Sequence, residues 1–246
     1  MDKFDGITRR SLLVAGAAAA LVPVGAQAAR PGMVVIELFT SQGCSSCPPA
    51  DAFLSELAKT KGVMALTYHV DYWDYLGWKD TFGSPDFSQR QYDYAKARGD
   101  MDVYTPQMIV HGGKHFVGSN RQRVTDALSD VDGGAAVALG IAAGESEVVI
   151  DVGDGAPVGE AMLWMLPVTS VAKVKILRGE ISGQEIAYHN IVRKIIPAGM
   201  WHGTAQRIAL PKDAILTEGV DSCVALLQKG KAGPIIACAA WGKVAV

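Results

Sequence analysis

The sequence lacks the features of a disordered, fibrous, disulfide-stapled or nucleic-acid-binding protein. Its 246 residues include 27 glycines and 11 prolines, too few for a disordered or collagen-like chain. A chain of this length can bury a large core, so its four cysteines are not needed as a disulfide scaffold. With 23 basic and 25 acidic residues, the net charge of −2 gives no support for nucleic-acid binding. The composition predicts a globular protein with one large domain or two small ones.

A long apolar run of membrane-spanning length is also missing. Residues 1–28 instead resemble a signal peptide: Arg9-Arg10 precede an Ala/Leu/Val run of about a dozen residues, shorter than the ~20 needed to span a bilayer. Ala26-Gln27-Ala28 fits a cleavage site, and the paired arginines resemble a twin-arginine signal. We expect export to a bacterial periplasm and no stable membrane span after cleavage. The alternative is an uncleaved membrane anchor.

The rest of the chain falls into two parts that differ in their predicted secondary structure. Between Met33 and Asp130, buried-strand patterns alternate with helical ones in the order β-α-β-α-β-β-α. After Gly133-Gly134, short β-rich segments separated by turn residues recur to the end of the chain, a pattern typical of an antiparallel sandwich. We therefore predict an α/β domain over 29–132 and a mainly antiparallel, sandwich-like β domain over 133–246, with the boundary near 131–136.

The motif with the most specific chemistry is Cys44-Ser45-Ser46-Cys47, placed between a predicted strand and a predicted helix. Two cysteines at this spacing can close a small disulfide ring. The partial positive charge of a helix N-terminus stabilises a thiolate, which would make Cys44 the nucleophile and Cys47 the resolving thiol. The alternatives are a structural disulfide or half of a zinc site, although no second close Cys or His pair supplies the remaining zinc ligands. No Ser-His-Asp nucleophile motif or phosphate-binding glycine loop is present in the sequence.

Longer strings around this motif give a family resemblance. The CxxC motif between strand and helix, with Thr105-Pro106 before the third strand, resembles a thioredoxin-like domain. More specific are the strings ELFTSQGCSSCPPAD from Glu37, YHVDYWD from Tyr68 and YTPQ from Tyr104. Together they resemble the exported thioredoxin-like family called domain of unknown function 1223, over essentially the whole mature chain. The resemblance implies a thioredoxin-like fold followed by a β domain, with an unknown substrate.

The resemblance also implies roles for residues outside the motif. In a thioredoxin-like fold, Thr105-Pro106 would contain a cis peptide bond, and Pro106 would face the cysteines and leave a backbone edge free for an extended substrate. Glu37 lies seven residues before Cys44, near the place where thioredoxins carry a buried acid. Burial would raise its pKa and suit it to accept a proton from the resolving thiol; the alternative is a solvent-facing strand residue.

The residues after the motif depart from ordinary thioredoxins. Pro48 and Pro49 have no N–H, so the helix cap is expected to move from Cys44 toward Cys47 and to weaken the field at Cys44. Farther along, residues 68–94 hold nine of the eighteen aromatic side chains. We expect these to fill a local core, the alternative being an aromatic wall that grips a partner chain.

The two remaining cysteines lie in a predicted hairpin. Cys223 and Cys238 are equally distant from the midpoint of Gln228 and Gly233, a register that would place them opposite each other. In an oxidising compartment we expect them to form a cross-strand structural disulfide, the alternative being buried free thiols.

These features leave three functions open. The first is an exported thiol–disulfide oxidoreductase that needs no organic cofactor or metal, acts on protein or small-thiol disulfides and is recharged by an unidentified redox partner. The second is a copper chaperone in which Cys44 and Cys47 bind Cu(I), with His69 or His111 completing the site. The third is a non-catalytic binding protein with a structural CxxC disulfide.

Overall fold

The fold was analysed in a computed structural model that describes residues 27–28, 33–131, 136–156 and 158–244. Four helices and thirteen strands are present in these ranges. The elements before residue 131 are β1 Gln27–Ala28, β2 Val34–Thr40, α1 Pro48–Leu57, β3 Val63–His69, a 3₁₀ turn Asp74–Leu76, α2 Pro85–Arg98, β4 Gln107–Val110, β5 His115–Val117 and α3 Arg121–Ser129. The order β-α-β-α-β-β-α predicted for Met33–Asp130 is confirmed.

The second half is almost entirely β structure, as its turn-rich sequence predicts. It contains β6 Leu139–Ala143, β7 Glu147–Val152, β8 Ala161–Lys175, β9 Glu185–Val192, β10 Ile196–Trp201, β11 Gln206–Pro211, the short helix α4 Lys212–Ile215, β12 Ser222–Lys229 and β13 Ile235–Gly242. Its strands pair with one another in antiparallel ladders. The described residues thus form a mixed α/β protein with a large, mainly β framework.

One nine-stranded sheet runs through both halves of the chain. Its order is β13-β12-β8-β9-β3-β2-β4-β5, and β10 also pairs with β8. The halves meet where β9 lies parallel to β3, with Thr67 opposite Ile191. The predicted boundary near 131–136 includes residues 132–135, which lie outside the described ranges. The backbone ladder therefore continues across the two predicted domains.

A second sheet, of order β1-β6-β7-β11, covers one face of this framework. Apolar side chains of β6 and β7 pack against those of β8, β12 and β13, and the fully buried Trp201 lies in the same core. The two sheets therefore pack face to face in this part of the protein.

Alternation along β2 decides which side chains can reach the CxxC segment. Successive side chains of a strand point to opposite faces. Val34, Ile36 and Leu38 pack with α1, whereas Val35 and Phe39 pack in the core that contains residues of α2. The helix that follows the cysteines therefore lies on one face of the sheet, and α2 lies on the other.

The predicted disulfide between Cys223 and Cys238 is wrong in this structure, where both are buried free thiols. Gln228 pairs with Ile235 rather than Gly233, and a bulge between Leu227 and Gln228 shifts the register once more. Cys223 is therefore opposite Trp241, three residues from Cys238. An odd offset places the two side chains on opposite faces of the sheet, and they lie in different cores.

The predicted signal peptide lies almost entirely outside the described residues. Residues 1–26 are not described, whereas Gln27 and Ala28 pair with Ile141 and Gly140 at the edge of the second sheet. Among the described residues, no helix has both the length and the apolar character needed to cross a bilayer.

Candidate functional site

Cys44 and Cys47 form a disulfide in the loop between β2 and α1, with their Cα atoms 5.4 Å apart. Both half-cystines are almost fully covered: Cys44 is 3% exposed and Cys47 is inaccessible. Ser45 and Ser46 between them are exposed. An incoming thiol thus has more access to the sulfur of Cys44 than to that of Cys47.

The start of α1 explains how this loop is held. The helix begins at Pro48, and Cys47 is its N-cap, as the two prolines predict. The amides of Ala50 and Asp51 both donate to the carbonyl of Cys47, at 2.8 and 3.1 Å. Prolines at the first two helical positions have no N–H to offer. The first turn of α1 therefore presents no free N–H from these four residues toward a thiolate.

A serine hydroxyl lies within hydrogen-bonding distance of the Cys44 sulfur. Cys44 Sγ lies 3.4 Å from Ser46 Oγ. A serine hydroxyl can donate to a thiolate, so Ser46 offers Cys44 a local hydrogen bond that the proline-capped helix does not supply.

The peptide bond between Thr105 and Pro106 is cis, as predicted. A Cβ atom added at Gly118 would lie 3.0 Å from Cβ of Ala50 and 3.3 Å from Cβ of Pro106. Gly118 also donates its N–H to the carbonyl of Pro106 at 2.8 Å. The cis-proline is thus brought against the first turn of α1, although it is about sixty residues away in sequence.

Trp73 joins the cis-proline loop to the loop before the cysteines. Its Nε1 donates to Thr105 Oγ1 at 2.8 Å. Its Cβ would be only 3.0 Å from a Cβ at Gly43, so the absence of a side chain there permits the contact. Tyr75, which is 77% exposed, stacks on Trp73 with ring centroids 6.3 Å apart.

The aromatic-rich stretch divides between the core and the surface. The side chains of Tyr68, Phe87 and Tyr94 are buried together, as the prediction of a local core requires. Trp73 and Tyr75 instead remain partly or largely open to solvent near the disulfide loop. The surface part is thus much smaller than an aromatic wall built from all nine rings.

Glu37 is fully buried, as one of the two alternatives predicted, but the structure does not place it with the cysteines. Its Oε1 accepts from Arg90 Nε at 2.8 Å, and its other oxygen accepts from the hydroxyl of Tyr94. Arg90 also donates to Gln228 at 3.2 Å. These partners lie on the face of the sheet opposite α1. Its predicted role as proton acceptor for Cys47 is therefore wrong in this geometry, because strand alternation directs it away.

The buried acid on the correct face is Asp51. It follows Cys47 by four residues on α1, a spacing that makes the two side chains neighbours on one helical face. Neither carboxylate oxygen has a hydrogen-bond partner. Burial raises the pKa of Asp51 to about 7; nearby His69 and Thr40 oppose the rise, and Asp80 adds to it. An acid with this pKa can both accept and return a proton near neutrality.

Sequence reasoning passed over Asp51 although a signal was present. Leu54 and Ala58 follow it at intervals of three and seven residues, which places the acid on the apolar stripe of α1. A charged residue on such a stripe, one turn after a cysteine, marks a buried titratable group.

The two histidines considered for copper lie at opposite ends of β2. His69 is paired with Thr40 at the cysteine end and bonds to Asp80. His111 accepts a hydrogen bond from the amide of Val35 at the other end. Within the described ranges, no three histidine, cysteine, aspartate or glutamate side chains are grouped as metal ligands.

The fold and site together define a mixed α/β protein with a closed CxxC disulfide, a cis-proline against the following helix and a buried aspartate one turn after the second cysteine. The chain belongs to the family described as "Protein of unknown function (DUF1223)", whose model matches residues 35–228. The resemblance to domain of unknown function 1223 is thereby confirmed.

Two solved structures resemble the chain. One is the crystal structure of protein AGR_C_4864 from Agrobacterium tumefaciens, at 33% identity, with a TM-score of 0.76 over 86% of this chain and 95% of that one. The other is HBP35 of Porphyromonas gingivalis, at 14% identity, with a TM-score of 0.57 over 86% of this chain and 75% of that one. The second likeness concerns the fold alone. No protein of curated function gives a significant match.

Proposed function

We propose that this protein is an exported thiol–disulfide oxidoreductase with a thioredoxin-like site, acting in the periplasm on protein or small-thiol disulfides. The observation that carries the proposal is the closed Cys44–Cys47 disulfide with Asp51 one turn after Cys47. A structural bond needs no proton acceptor beside it. A buried acid with a pKa of about 7 is suited to exchange chemistry, in which one thiol repeatedly gains and loses a proton.

In the oxidising direction, a substrate thiolate attacks Cys44 Sγ and breaks the bond to Cys47. Cys47 leaves as a thiolate and takes the proton of Asp51, while Cys44 is held in a mixed disulfide with the substrate. A second substrate thiolate then attacks the substrate sulfur and releases Cys44. The substrate loses two electrons and the CxxC pair gains them.

In the reducing direction, the Cys44 thiolate attacks a substrate disulfide and expels one substrate thiolate. Cys47 gives its proton to Asp51 and attacks Cys44 Sγ, which breaks the mixed disulfide and re-forms the Cys44–Cys47 bond. No metal or organic cofactor enters either sequence. A redox partner must restore the starting state after each turnover.

The cis-proline loop is the proposed substrate-binding edge. Pro106 lies against the first turn of α1, and Trp73 holds Thr105 by its indole N–H. A segment carrying the target cysteine could lie along this backbone with its sulfur near Cys44. The stacked Trp73 and Tyr75 offer apolar contact beside it.

The decisive experiment is a redox titration of the mature protein in glutathione buffers, with thiol tagging read by mass spectrometry. A midpoint between about −270 and −120 mV is expected for an exchanging dithiol, and its value separates reductant from oxidant. A midpoint below about −300 mV would mark a structural bond and favour a non-catalytic binding protein.

A further inference from the structure

Behind the disulfide, four elements and a loop bring polar side chains into one buried cluster. Thr40 comes from the end of β2, Asp51 from α1, His69 from the end of β3, Asp80 from the loop before α2, and Tyr188 from β9. All are at least nine-tenths buried. Thr40 and His69 are paired residues of adjacent strands, so their side chains lie on the same face of the sheet as α1.

Asp80 fixes the orientation of His69. Its Oδ2 lies 2.9 Å from His69 Nδ1 and accepts the amide of Gln42 at 2.7 Å, while Oδ1 accepts the amide of Phe82 at 2.9 Å. Burial alone would raise the pKa of Asp80, but His69 and these hydrogen bonds lower it. An ionised Asp80 requires a proton on Nδ1, which leaves Nε2 of a neutral His69 as the basic nitrogen.

The groups around Asp51 have unused hydrogen-bonding capacity. His69 Nε2, both oxygens of Asp51, the hydroxyl of Thr40 and the hydroxyl of Tyr188 are all buried without a partner. Buried polar atoms are normally paired, and exceptions mark strain or chemistry. Five such atoms lie in one cluster, and its Asp51 lies one helical turn after Cys47, which points to a place where a proton is held and moved.

The second half of the chain contributes Tyr188 of β9 to this buried cluster. Its ring packs edge-on against His69 with centroids 4.6 Å apart, and it also contacts Phe82. In the same strand, His189 Nδ1 lies 2.7 Å from Ser55 Oγ on α1. β9 thus contacts both His69 and α1 beside the cluster.

We propose that His69, oriented by Asp80, is a positioning residue that controls when Asp51 takes the proton of Cys47. The inference rests on the proposed thiol–disulfide exchange. In the reducing direction, the Cys47 S–H proton passes to an Asp51 oxygen, and the Cys47 sulfur forms its bond to Cys44 Sγ as the substrate thiolate leaves. A positive charge on His69 favours the carboxylate form of Asp51, so it keeps the acceptor available at lower pH.

The sign of the effect follows from the charges that face Asp51. His69 on β3 and the Thr40 hydroxyl on β2 favour its ionised form, Asp80 opposes it, and Tyr188 on β9 is neutral. Replacing His69 by glutamine removes the electrostatic interaction that lowers the pKa of Asp51. Asp51 then keeps its proton to higher pH, and deprotonation of Cys47 moves to higher pH with it.

The test measures how fast the mixed disulfide between Cys44 and glutathione is resolved, as a function of pH, in reduced protein mixed rapidly with oxidised glutathione. His69→Gln is expected to raise the midpoint of the pH profile by roughly one unit. The matched control is His111→Gln, which replaces a partly buried histidine at the opposite end of β2 and should leave the midpoint unchanged. An unchanged midpoint in His69→Gln, or an equal shift in both variants, would overturn the inference.

The variant Asp80→Asn tests whether Asp80 affects Asp51 by orienting His69. Asp80 itself raises the pKa of Asp51, so in the His69→Gln background Asp80→Asn should lower the midpoint. With His69 present, Asp80→Asn should lower the midpoint less or raise it, because the imidazole also loses its orientation. Additive shifts in the double variant would show two independent effects and contradict the relay. Circular dichroism and thermal melts confirm that each variant is folded.

A second readout distinguishes failure of the inference from failure of the proposed function. The ¹³C signal of the Asp51 carboxyl in reduced protein can be titrated whether or not exchange occurs. In His69→Gln the midpoint of this titration should rise above that of the wild type, because the interaction that lowers the Asp51 pKa is lost. An equal midpoint in the two proteins would overturn the coupling. A coupled titration without glutathione exchange would retain the coupling and reject the oxidoreductase.

Discussion

The amide of Asp51 donates to the carbonyl of Cys47 at 3.1 Å, which places the carboxyl and the second sulfur of the disulfide on the same face of α1. This relationship gives a proton acceptor to a site whose helix N-terminus is blocked by two prolines. Thiolate chemistry at the amino end of α1 then depends on side chains rather than on helix amides.

Replacement of Asp51 by asparagine should change stability in a pH-dependent way. Burial raises the pKa of the folded Asp51 to about 7 from an ordinary 3.8, so folded protein binds this proton more tightly than unfolded protein does. The stabilisation is complete below about pH 4 and is lost as pH rises through 7. The free energy of unfolding of Asp51→Asn should therefore exceed that of the wild type by roughly 2–4 kcal/mol at pH 8. Urea unfolding of the oxidised proteins checks this, and the gain should vanish at pH 4.

Glu37→Gln should lower stability without slowing the exchange chemistry. It leaves the Arg90 guanidinium buried without its counter-charge, which should cost on the order of 3 kcal/mol in urea unfolding. Because Glu37 lies on the far face from α1, resolution of a Cys44 mixed disulfide should keep its rate. Asp51→Asn, in contrast, should slow that step tenfold or more, on the order of the loss of a general base. If Glu37→Gln slowed resolution of the mixed disulfide and Asp51→Asn left its rate unchanged, Glu37 rather than Asp51 would be the proton acceptor.

The two cysteines of the motif should behave differently when replaced singly by serine. Cys47→Ser retains Cys44, the less covered cysteine of the pair, but has no resolving thiol, so mixed disulfides on Cys44 should accumulate with glutathione or peptide thiols. Cys44→Ser leaves only the inaccessible Cys47 and should form few such adducts. Intact mass spectrometry under non-reducing conditions measures the amount of adduct on each variant. Equal adduct levels would contradict the assignment of Cys44 as the attacked sulfur.

Ser46→Ala tests the hydroxyl that lies 3.4 Å from Cys44 Sγ. Loss of one hydrogen bond to the thiolate is worth about 1 kcal/mol, which corresponds to a roughly fivefold slower alkylation of Cys44 at pH 7. Ser45→Ala is the matched control, since Ser45 is also exposed but does not hydrogen-bond to the Cys44 sulfur. The rate at which iodoacetamide alkylates Cys44 in each reduced variant measures this effect, and equal rates for both variants would rule out a role for Ser46.

Cys223 and Cys238 should resist labelling until the protein unfolds. Burial raises the pKa of Cys223 to about 12 and that of Cys238 further still, so little thiolate is present at neutral pH. Native protein should take up no maleimide at either position, and protein in guanidinium chloride should take up two. A mass that shows two disulfides in the native protein would contradict the observed strand register.

The sequence by itself determined the order of strands and helices before residue 131, the CxxC loop between β2 and α1, and the shift of the helix cap to Cys47. Each depends on neighbours within a few residues: apolar runs for the strands, and prolines without N–H for the cap. The family also followed from strings of adjacent residues around the cysteines.

Only the tertiary structure decided which buried acid accompanies the disulfide, how Cys223 and Cys238 are placed, and that one sheet joins both halves. Glu37 and Asp51 are both buried, but strand alternation and helix docking put one against Arg90 and the other behind Cys47. Gln228 pairs with Ile235, two residues beyond the predicted Gly233, and this shift together with the bulge separates the two free thiols. Such outcomes depend on which faces pack together, and contacts between residues distant in the chain decide that.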